Sequence, residues 1–215
     1  MIPLSASTVA DVMQGTLYGS AEISANAEFQ FDSREVKPGD VFLALRGEKA
    51  DGHEFVSNAL DNGAVLSIVT KPVSGTHIVV ADVLDAIGAL ALYVRHQLAN
   101  LKVVGITGSQ GKTTTKDMLY SILKDEGKTV AARGSFNNDL GVPLTLLRCD
   151  TSTKFCIVEM GARHLGDISH LAKIAQPHIG VVLTVGKAHV GEFGSREIIA
   201  KAKSELISAL TEGGI

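Results

Sequence analysis

The sequence has little of the material from which several special classes of protein are built. Its 215 residues include two cysteines, five prolines and no tryptophan, and aromatic residues make up 5%. Two cysteines are too few for a disulfide framework, so Cys149 and Cys156 are predicted to be buried free thiols. No apolar run approaches the roughly 18 residues that span a bilayer, and the N-terminus lacks the features of a signal peptide. These absences predict a cytoplasmic protein.

A dominant charge is also missing. The 20 lysines and arginines nearly balance the 23 aspartates and glutamates, which gives a net charge of −3. This balance argues against a basic surface for nucleic acid or for an anionic membrane. Any phosphate group must therefore be bound by local geometry. The length permits one large domain or two modest ones.

The pattern of apolar residues changes along the chain. Short apolar runs alternate with turn signals as far as residue 85, which predicts a small α/β domain over residues 1–85. Asp82 is a candidate N-cap for a helix that runs to about Leu98. Wholly apolar strands then alternate with helices, as in a parallel sheet covered on both faces. We therefore predict an α/β fold with a second, mostly parallel-sheet domain over residues 86–215. Its predicted strands are 102–106, 155–159 and 179–184, and its predicted helices are 112–125, 167–175 and 195–210.

The strongest motif is the run Gly105–Thr114 (GITGSQGKTT), which leads from a strand into a helix. Glycines leave backbone N–H groups free to surround phosphate, and the positive end of the helix adds to the attraction. Lys112 would reach the β- and γ-phosphates, and Thr113 would offer its hydroxyl to Mg²⁺. The general P-loop has glycine where this chain has Ile106, so the motif is a variant; the alternative is a glycine-rich turn that ends in a solvated lysine. The predicted ATP-binding residues are Thr107, Gly108, Ser109, Gln110, Gly111, Lys112, Thr113 and Thr114.

Two further candidates follow predicted strands of the same sheet. Glu159 ends strand 155–159, at the edge where α/β sheets bind ligands. Beside a nucleotide this carboxylate would be a Mg²⁺ ligand, whereas alone it could simply cap the next loop. His189 follows strand 179–184 and should reach the same edge, although a lone loop histidine is usually a surface residue.

Asparagine and lysine pairs in the second domain are open to two interpretations. Asn137 and Asn138 precede a helix and could form a plain turn or place their amides over a substrate. Lys201 and Lys203 lie on the last predicted helix, where lysines are usually solvated. Spacing alone does not choose between these two lysines.

The N-terminal domain carries a polar motif around an Asp-Ser-Arg run and a later hairpin. The simplest interpretation is an Asp/Ser turn and a polar hairpin, and the functional one is a nucleotide-diphosphate pocket with an arginine near phosphate. The residues of that pocket would be Phe31, Ser33, Arg34, Glu48, Lys49 and Ala50.

Taken together, these motifs resemble the Mur ligases of peptidoglycan synthesis over essentially the whole chain. The variant P-loop at 107–113 looks like that family's own form. Within the family, the similarity is greatest to the enzymes that join D-Ala-D-Ala to UDP-MurNAc-tripeptide. The runs that carry it are 134–147 (GSFNNDLGVPLTLL), 158–168 (VEMGARHLGDI), 188–195 (AHVGEFGS) and 200–205 (AKAKSE).

The resemblance implies an ATP-dependent amide ligase. ATP would phosphorylate the terminal carboxylate of UDP-MurNAc-tripeptide, and the amine of D-Ala-D-Ala would attack the resulting acyl phosphate. Because both substrates are anionic, cationic and metal clamps should carry much of the catalysis. The implied cofactors are therefore ATP and Mg²⁺.

The resemblance also assigns roles to single residues. Lys112 would stabilise the transferred phosphoryl group, while Thr113 and Glu159 would hold Mg²⁺ on the β- and γ-phosphates. His189 would serve a second Mg²⁺ near the acyl phosphate. Lys203 is similar in position to a lysine that several family members carry as a carbamate.

The remaining candidates are placed with less detail. Phe31, Ser33 and 48–50 correspond to positions along the uridine diphosphate site, and Asn137 and Asn138 fall in a nucleotide- or substrate-facing run. The family has three domains, and this sequence resembles the first and most of the second, so we expect a fragment with weak or absent ligase activity. The alternatives are a Mur ligase of different amino-acid specificity and a P-loop module that binds nucleotide without catalysis.

Overall fold

The computed structural model describes residues 1–24, 26–48, 50–186 and 195–215. The chain divides into two compact units, Met1–Tyr93 and Val94–Ile215, and the boundary falls inside a long helix. Within the described residues, none of the helices combines the length and the apolar character that crossing a bilayer requires. The fold is α/β with mostly parallel sheets, which confirms the predicted fold class.

The first unit is built on a five-stranded sheet in the order β2-β7-β6-β5-β4. Strands β4 to β7 run parallel, and β2 pairs antiparallel with β7. Strands β1 and β3 form a separate antiparallel pair. The elements are β1 (Leu4–Ser5), α1 (Ala6–Val12), β2 (Thr16–Tyr18), β3 (Glu22–Ile23), β4 (Phe29–Gln30), β5 (Val41–Leu43), α2 (Val56–Asp61), β6 (Leu66–Val69) and β7 (His77–Val79).

Burial explains why the central strands of this sheet form where the apolar runs predicted them. Every residue of β5 and β6 is buried, as expected for strands with neighbours on both sides. Helix α2 is preceded by a 3₁₀ turn, Gly52–Phe55, and the chain becomes α-helical at Val56. The Asp51 carboxylate accepts a hydrogen bond from the His53 N–H and so starts this turn.

The second unit contains a four-stranded, wholly parallel sheet in the order β11-β8-β10-β9. The helix that begins before the unit boundary is capped as predicted, since Asp82 Oδ1 accepts from the N–H groups of Leu84 and Asp85. The elements are α3 (Val83–Gln97), β8 (Lys102–Thr107), α4 (Lys112–Glu126), β9 (Thr129–Ala131), α5 (Gly141–Leu147), β10 (Phe155–Glu159), α6 (Asp167–Ala175), β11 (Ile179–Val182) and α7 (Arg196–Ser208).

The parallel arrangement brings the carboxyl ends of all four strands to one edge. The predicted strand 155–159 and helix 167–175 agree with the structure residue for residue. Strand β11 ends at Val182, two residues earlier than predicted. Both cysteines are buried and free, which confirms the prediction made for them. The shared edge therefore carries the ends of β8 and β10, where the phosphate loop and Glu159 were predicted.

Candidate nucleotide-binding site

The loop between β8 and α4 has an open, left-handed turn at its end. Gly111 has a φ of +85°, a conformation that glycine adopts without the penalty other residues suffer. It is also the N-cap of α4, and in the described part of the chain no side chain caps the helix there. The first N–H groups of α4 therefore point out of the helix toward the loop. Such an end attracts anions, phosphate above all.

Three hydrogen bonds anchor this loop to neighbouring strand ends. The Ser109 N–H donates to the Thr184 carbonyl at 2.9 Å, and Ser109 Oγ accepts from the Gly186 N–H at 2.9 Å. Thr107 Oγ1 donates to the Met160 carbonyl at 2.8 Å, just beyond β10. The loop is therefore held in shape by the segments that follow β10 and β11.

The Lys112 side chain folds back over the loop. Its Nζ donates to the Gly108 carbonyl at 2.9 Å. Burial lowers the pKa of Lys112, and the nearby charge of Glu159 acts in the opposite direction. The ammonium group therefore lies over the phosphate loop, where it would contact the oxygens of a bound phosphate.

Glu159 provides a fully buried carboxylate at the end of β10. Its Oε2 accepts a hydrogen bond from Thr113 Oγ1 at 3.3 Å. Its Oε1 has no hydrogen-bond partner among the residues that the structure describes. Burial raises the pKa of Glu159, while the Thr113 hydrogen bond and the charges of Lys116 and Lys112 lower it. A buried carboxylate oxygen without a partner is costly unless a ligand supplies one.

The side-chain oxygens of Thr113 and Glu159 are suitable ligands for Mg²⁺. The ion prefers oxygen ligands and usually takes only one or two protein groups, completing its shell with phosphate and water. Thr113 Oγ1 and Glu159 Oε1 form such a sparse set beside the phosphate loop. Groups of three or more histidine, cysteine or acidic residues that could hold a metal do not occur within the described ranges. The donors therefore suit a cation that arrives together with a phosphate ligand.

Lys116 was not predicted from the sequence but lies against Glu159. Its side chain is buried, and its Nζ is 3.9 Å from Glu159 Oε1. It donates hydrogen bonds to the carbonyls of Ala132 and Gly134 at 3.0 and 3.1 Å. Its spacing from Lys112, one helical turn, was the only available signal, because both lysines must share one face of α4.

The structure separates the two lysines of α7. Lys203 is 4% exposed, whereas Lys201 is exposed to solvent. Burial lowers the pKa of Lys203, and the positive charge of Lys112 lowers it further. Lys203 therefore lies within electrostatic reach of the phosphate loop. Its role, and that of His189, stay predictions; His189 lies outside the described residues.

Asn137 and Asn138 take different positions. Asn138 Oδ1 accepts a hydrogen bond at 3.0 Å from the N–H of Gly141, the first residue of α5, as plain turn chemistry would. The Asn137 carbonyl accepts from the Gly161 N–H at 2.8 Å, two residues beyond Glu159. Asn137 Oδ1 packs so closely on Gly161 that a Cβ there would be 2.6 Å away. Asn137 is therefore joined to the segment just beyond β10.

A separate cleft of about 450 Å³ lies in the first unit. Arg34 makes a two-pronged pair with Asp32, with Nη2 2.6 Å from Oδ2 and Nε 2.9 Å from Oδ1. The side-chain hydrogen bond from Arg34 lowers the pKa of Asp32 to about 2. Ser33 is buried, and its Oγ accepts from Asn58 Nδ2 at 3.4 Å. The residues that line the cleft are Phe31, Asp32, Ser33, Arg34, Phe55 and Asn58.

Three of the six residues that line this cleft, Phe31, Ser33 and Arg34, were predicted from the sequence. Asp32 lies within the same run but was not among the predicted pocket residues. Phe55 and Asn58 reach the cleft from the 3₁₀ turn and α2, and only their spacing on one helical face could have indicated them. Glu48 and Ala50 are instead exposed at the tip of a hairpin and do not line the cleft. Lys49 lies outside the described residues.

The base of that hairpin is fixed by His53. Its Nε2 accepts from the Thr70 N–H at 3.0 Å, so the ring proton is on Nδ1 and points to the Asp51 carboxylate. Lys71 Nζ donates to the same carboxylate at 3.2 Å. The hydrogen bonds from His53, backbone first, lower the pKa of Asp51. This histidine has a structural role, tying the hairpin to the end of β6.

Comparison with known proteins matches both units. A family model described as Mur ligase middle domain matches residues 106–215, and one described as Mur ligase family, catalytic domain, matches residues 26–101. The chain is 42% identical over 242 residues to the UDP-N-acetylmuramoyl-tripeptide–D-alanyl-D-alanine ligase of Mycobacterium bovis. That alignment covers all of this chain and 48% of the relative, so the chain spans about half the length of the curated relatives it matches.

Solved structures agree with this match. The crystal structure of MurF from Acinetobacter baumannii superimposes with a TM-score of 0.91 at 42% identity, covering 100% of this chain and 48% of that one. MurF ligase from Thermotoga maritima, solved in complex with ADP, gives a TM-score of 0.78 at 39% identity, covering 87% and 44%. Sequence motifs, family models and fold therefore agree: the chain belongs to the Mur ligase family.

Proposed function

We propose that this chain provides the ATP site and the UDP-substrate site of a cytoplasmic ligase that joins D-alanyl-D-alanine to UDP-MurNAc-tripeptide. The observation that carries the proposal is the cluster of Lys112, Thr113 and Glu159 at the phosphate loop, where one Glu159 oxygen accepts no hydrogen bond from any described residue. The relatives named for this reaction, MurF among them, support it. In this proposal residues 1–85 bind the UDP-linked substrate and residues 86–215 bind ATP.

The reaction needs ATP because a carboxylate is a poor electrophile. Transfer of the γ-phosphoryl group to the terminal carboxylate of the tripeptide forms an acyl phosphate and releases ADP. The amine of D-alanyl-D-alanine then attacks the acyl carbon, and phosphate leaves as the amide forms. Lys112 and the first N–H groups of α4 would bind the phosphate oxygens on which negative charge develops.

Thr113 and Glu159 would hold Mg²⁺ at the β- and γ-phosphates. When bound, the ion supplies positive charge beside the transferred group. For this role the Thr113 hydroxyl must give up the 3.3 Å hydrogen bond that it donates to Glu159 Oε2. Glu159 Oε1 needs no such change, since no described residue bonds to it. His189 is proposed to serve a second Mg²⁺ on the strength of the motif alone.

Lys203, rather than Lys201, is the better candidate for a carbamate. Carbon dioxide adds to a neutral amine, and burial lowers the pKa of Lys203, whereas Lys201 is exposed on the same helix. The change would turn a buried cation near Lys112 into an anion. In ¹³C-bicarbonate, a carbamate resonance is expected from the wild-type chain and from Lys201→Met. Its persistence in Lys203→Met would contradict the assignment.

The cleft of the first unit suits the uridine diphosphate of the other substrate. Phe31 and Phe55 are each 41% exposed and offer aromatic faces on which a base can stack. Arg34, 82% exposed at the side chain, would present its guanidinium to phosphate. In the absence of ligand, the ion pair with Asp32 would hold the Arg34 guanidinium in position.

Isothermal titration calorimetry tests the proposal with three ligands. They are UDP-MurNAc-tripeptide, UDP-MurNAc, and a non-hydrolysable ATP analogue in the presence of Mg²⁺. Phe31→Ala should weaken binding of both UDP ligands about 5- to 160-fold, because stacking of one base is worth about 1–3 kcal/mol. It should leave the affinity for the ATP analogue unchanged. Tyr18→Ala is the matched control, since Tyr18 is an exposed aromatic residue of the same unit outside the cleft.

The same titrations separate the alternatives. Absence of saturable binding by either UDP ligand would contradict the UDP-substrate proposal. Nucleotide binding alone would favour a binding module. A preference for a UDP-linked precursor with a shorter peptide would indicate a Mur ligase of different specificity.

A further inference from the structure

Lys116 is a buried cation that phosphate binding does not explain. It lies one turn after Lys112 on α4 and is 4% exposed. Its Nζ donates to the carbonyls of Ala132 and Gly134 at 3.0 and 3.1 Å and lies 3.1 Å from Asp117 Oδ1. Withdrawing an ammonium group from water is costly unless its hydrogen bonds are replaced, and here the replacements come from one backbone segment.

That backbone segment, residues 132–137, follows β9 and is hydrogen-bonded to β10 and to the residues just beyond it. The Ala132 N–H donates to the Ile157 carbonyl at 3.1 Å, and the Asn137 carbonyl accepts from the Gly161 N–H at 2.8 Å. Residues 132–137 are thus hydrogen-bonded to β10 at Ile157, before Glu159, and to Gly161, two residues after it. Lys116 connects this segment to the helix that opens at the phosphate loop.

The distance between Lys116 and Glu159 is also informative. At 3.9 Å, Nζ is too far from Oε1 for a hydrogen bond but close enough to oppose its charge. The two carbonyl contacts keep the ammonium at this distance. Glu159 Oε1 therefore has a counter-charge nearby and yet accepts no hydrogen bond within the described residues.

We propose that Lys116 is a positioning residue of the nucleotide site. It fixes residues 132–137 and Glu159 relative to the phosphate loop, and it balances the carboxylate charge without hydrogen-bonding to Oε1, the oxygen that would bind the metal. This inference rests on the proposed binding of a Mg²⁺-nucleotide. Groups that orient metal ligands from behind typically change metal affinity 10- to 100-fold when they are removed.

The test compares Lys116→Met with Lys124→Met. Methionine keeps an unbranched apolar side chain but has neither donors nor charge, and Lys124 is an exposed lysine of the same helix. Isothermal titration measures the affinity for a non-hydrolysable ATP analogue with and without Mg²⁺. Lys116→Met should reduce the affinity gain from Mg²⁺ at least about tenfold and leave the Mg²⁺-free affinity unchanged. Lys124→Met should match the wild type, and Lys116→Arg should restore most of the gain because it keeps charge and donors.

Hydrogen exchange of residues 132–141 in the nucleotide-free chain provides a second readout. Their amides should exchange faster in Lys116→Met and at the wild-type rate in Lys124→Met. If Lys116→Met does not fold, Lys116→Gln replaces it in both measurements, with loss of the Mg²⁺ gain again expected because the amide lacks both the reach and the charge.

Three results would overturn the inference. The first is an unchanged gain in nucleotide affinity from Mg²⁺ in Lys116→Met. The second is a larger gain in that variant, which would mean that the ammonium group only repels the ion. The third is unchanged hydrogen exchange of residues 132–141. Failure of the wild-type chain to bind nucleotide would instead remove the proposed function. The exchange experiment would still test whether Lys116 anchors the segment.

Discussion

Replacing Lys203 by methionine should stabilise the second unit. Lys203 is 4% exposed on α7, so its ammonium group is largely withdrawn from water. Burial and the charge of Lys112 both lower its pKa, so the folded state disfavours the ammonium form. Methionine keeps an unbranched apolar side chain and has similar helix propensity. The substitution therefore removes a buried charge with little change in packing.

The gain in the free energy of unfolding should be about 1–3 kcal/mol near neutral pH, within the range of about 1–4 kcal/mol found when buried ionic groups are replaced by well-packed apolar side chains. The sign of the pH dependence follows from the lowered pKa. An unfolded lysine titrates at about 10.4, so between the folded pKa and that value the unfolded state binds more protons. Wild-type stability rises with pH through this window, and the advantage of Lys203→Met should shrink.

Urea unfolding followed by far-ultraviolet circular dichroism in carbon dioxide-depleted buffer measures this difference. The transition that nucleotide shifts to higher urea identifies the second unit. Lys201→Met, two residues away and exposed, is the matched control and should change stability by less than about 0.5 kcal/mol. Destabilisation by Lys203→Met, or a gain that does not shrink between pH 7.5 and pH 10, would refute the reasoning.

Three other predictions concern stability and thiol access. Gly161→Ala should cost about 1–3 kcal/mol in urea unfolding, because its Cβ would lie 2.6 Å from Asn137 Oδ1. Gly47→Ala, whose nearest contact would be 3.5 Å away, should be nearly neutral; equal effects would contradict the packing described. Neither buried cysteine should react with Ellman's reagent in the native chain, and both should react in urea; fast native reaction would show that the core around them is open. His53→Ala should destabilise the first unit by about 1–3 kcal/mol, since the Thr70 N–H loses its acceptor, and an unchanged thermal midpoint would contradict that role.

The phosphate loop and Glu159 could be predicted from the sequence because their signals are local. An apolar strand, a glycine-rich turn and a lysine at a helix start define the loop wherever they occur together. The carboxyl ends of parallel strands share one edge, so the place of Glu159 follows from its position at the end of β10. The fold class was predictable for the same reason, from strands that are apolar throughout.

Contacts that depend on tertiary structure could not be predicted. Lys116 sits on a helix that is otherwise largely exposed, and only the return of residues 132–134 over it makes it buried. Strand β9 has only three residues, too few for a clear apolar pattern. The choice between Lys201 and Lys203 likewise depended on which face of α7 is buried, which their spacing does not reveal.

The central claim is that the loop at 107–114 and Glu159 together bind a Mg²⁺-nucleotide. The most direct measurement is isothermal titration of the wild-type chain and of Glu159→Gln with a non-hydrolysable ATP analogue, each with and without Mg²⁺. We expect one saturable site in the wild type, with an affinity that rises with Mg²⁺. In Glu159→Gln this rise should be lost, while the Mg²⁺-free affinity is retained. An equal response of both chains to Mg²⁺, or no saturable binding by the wild type, would contradict it.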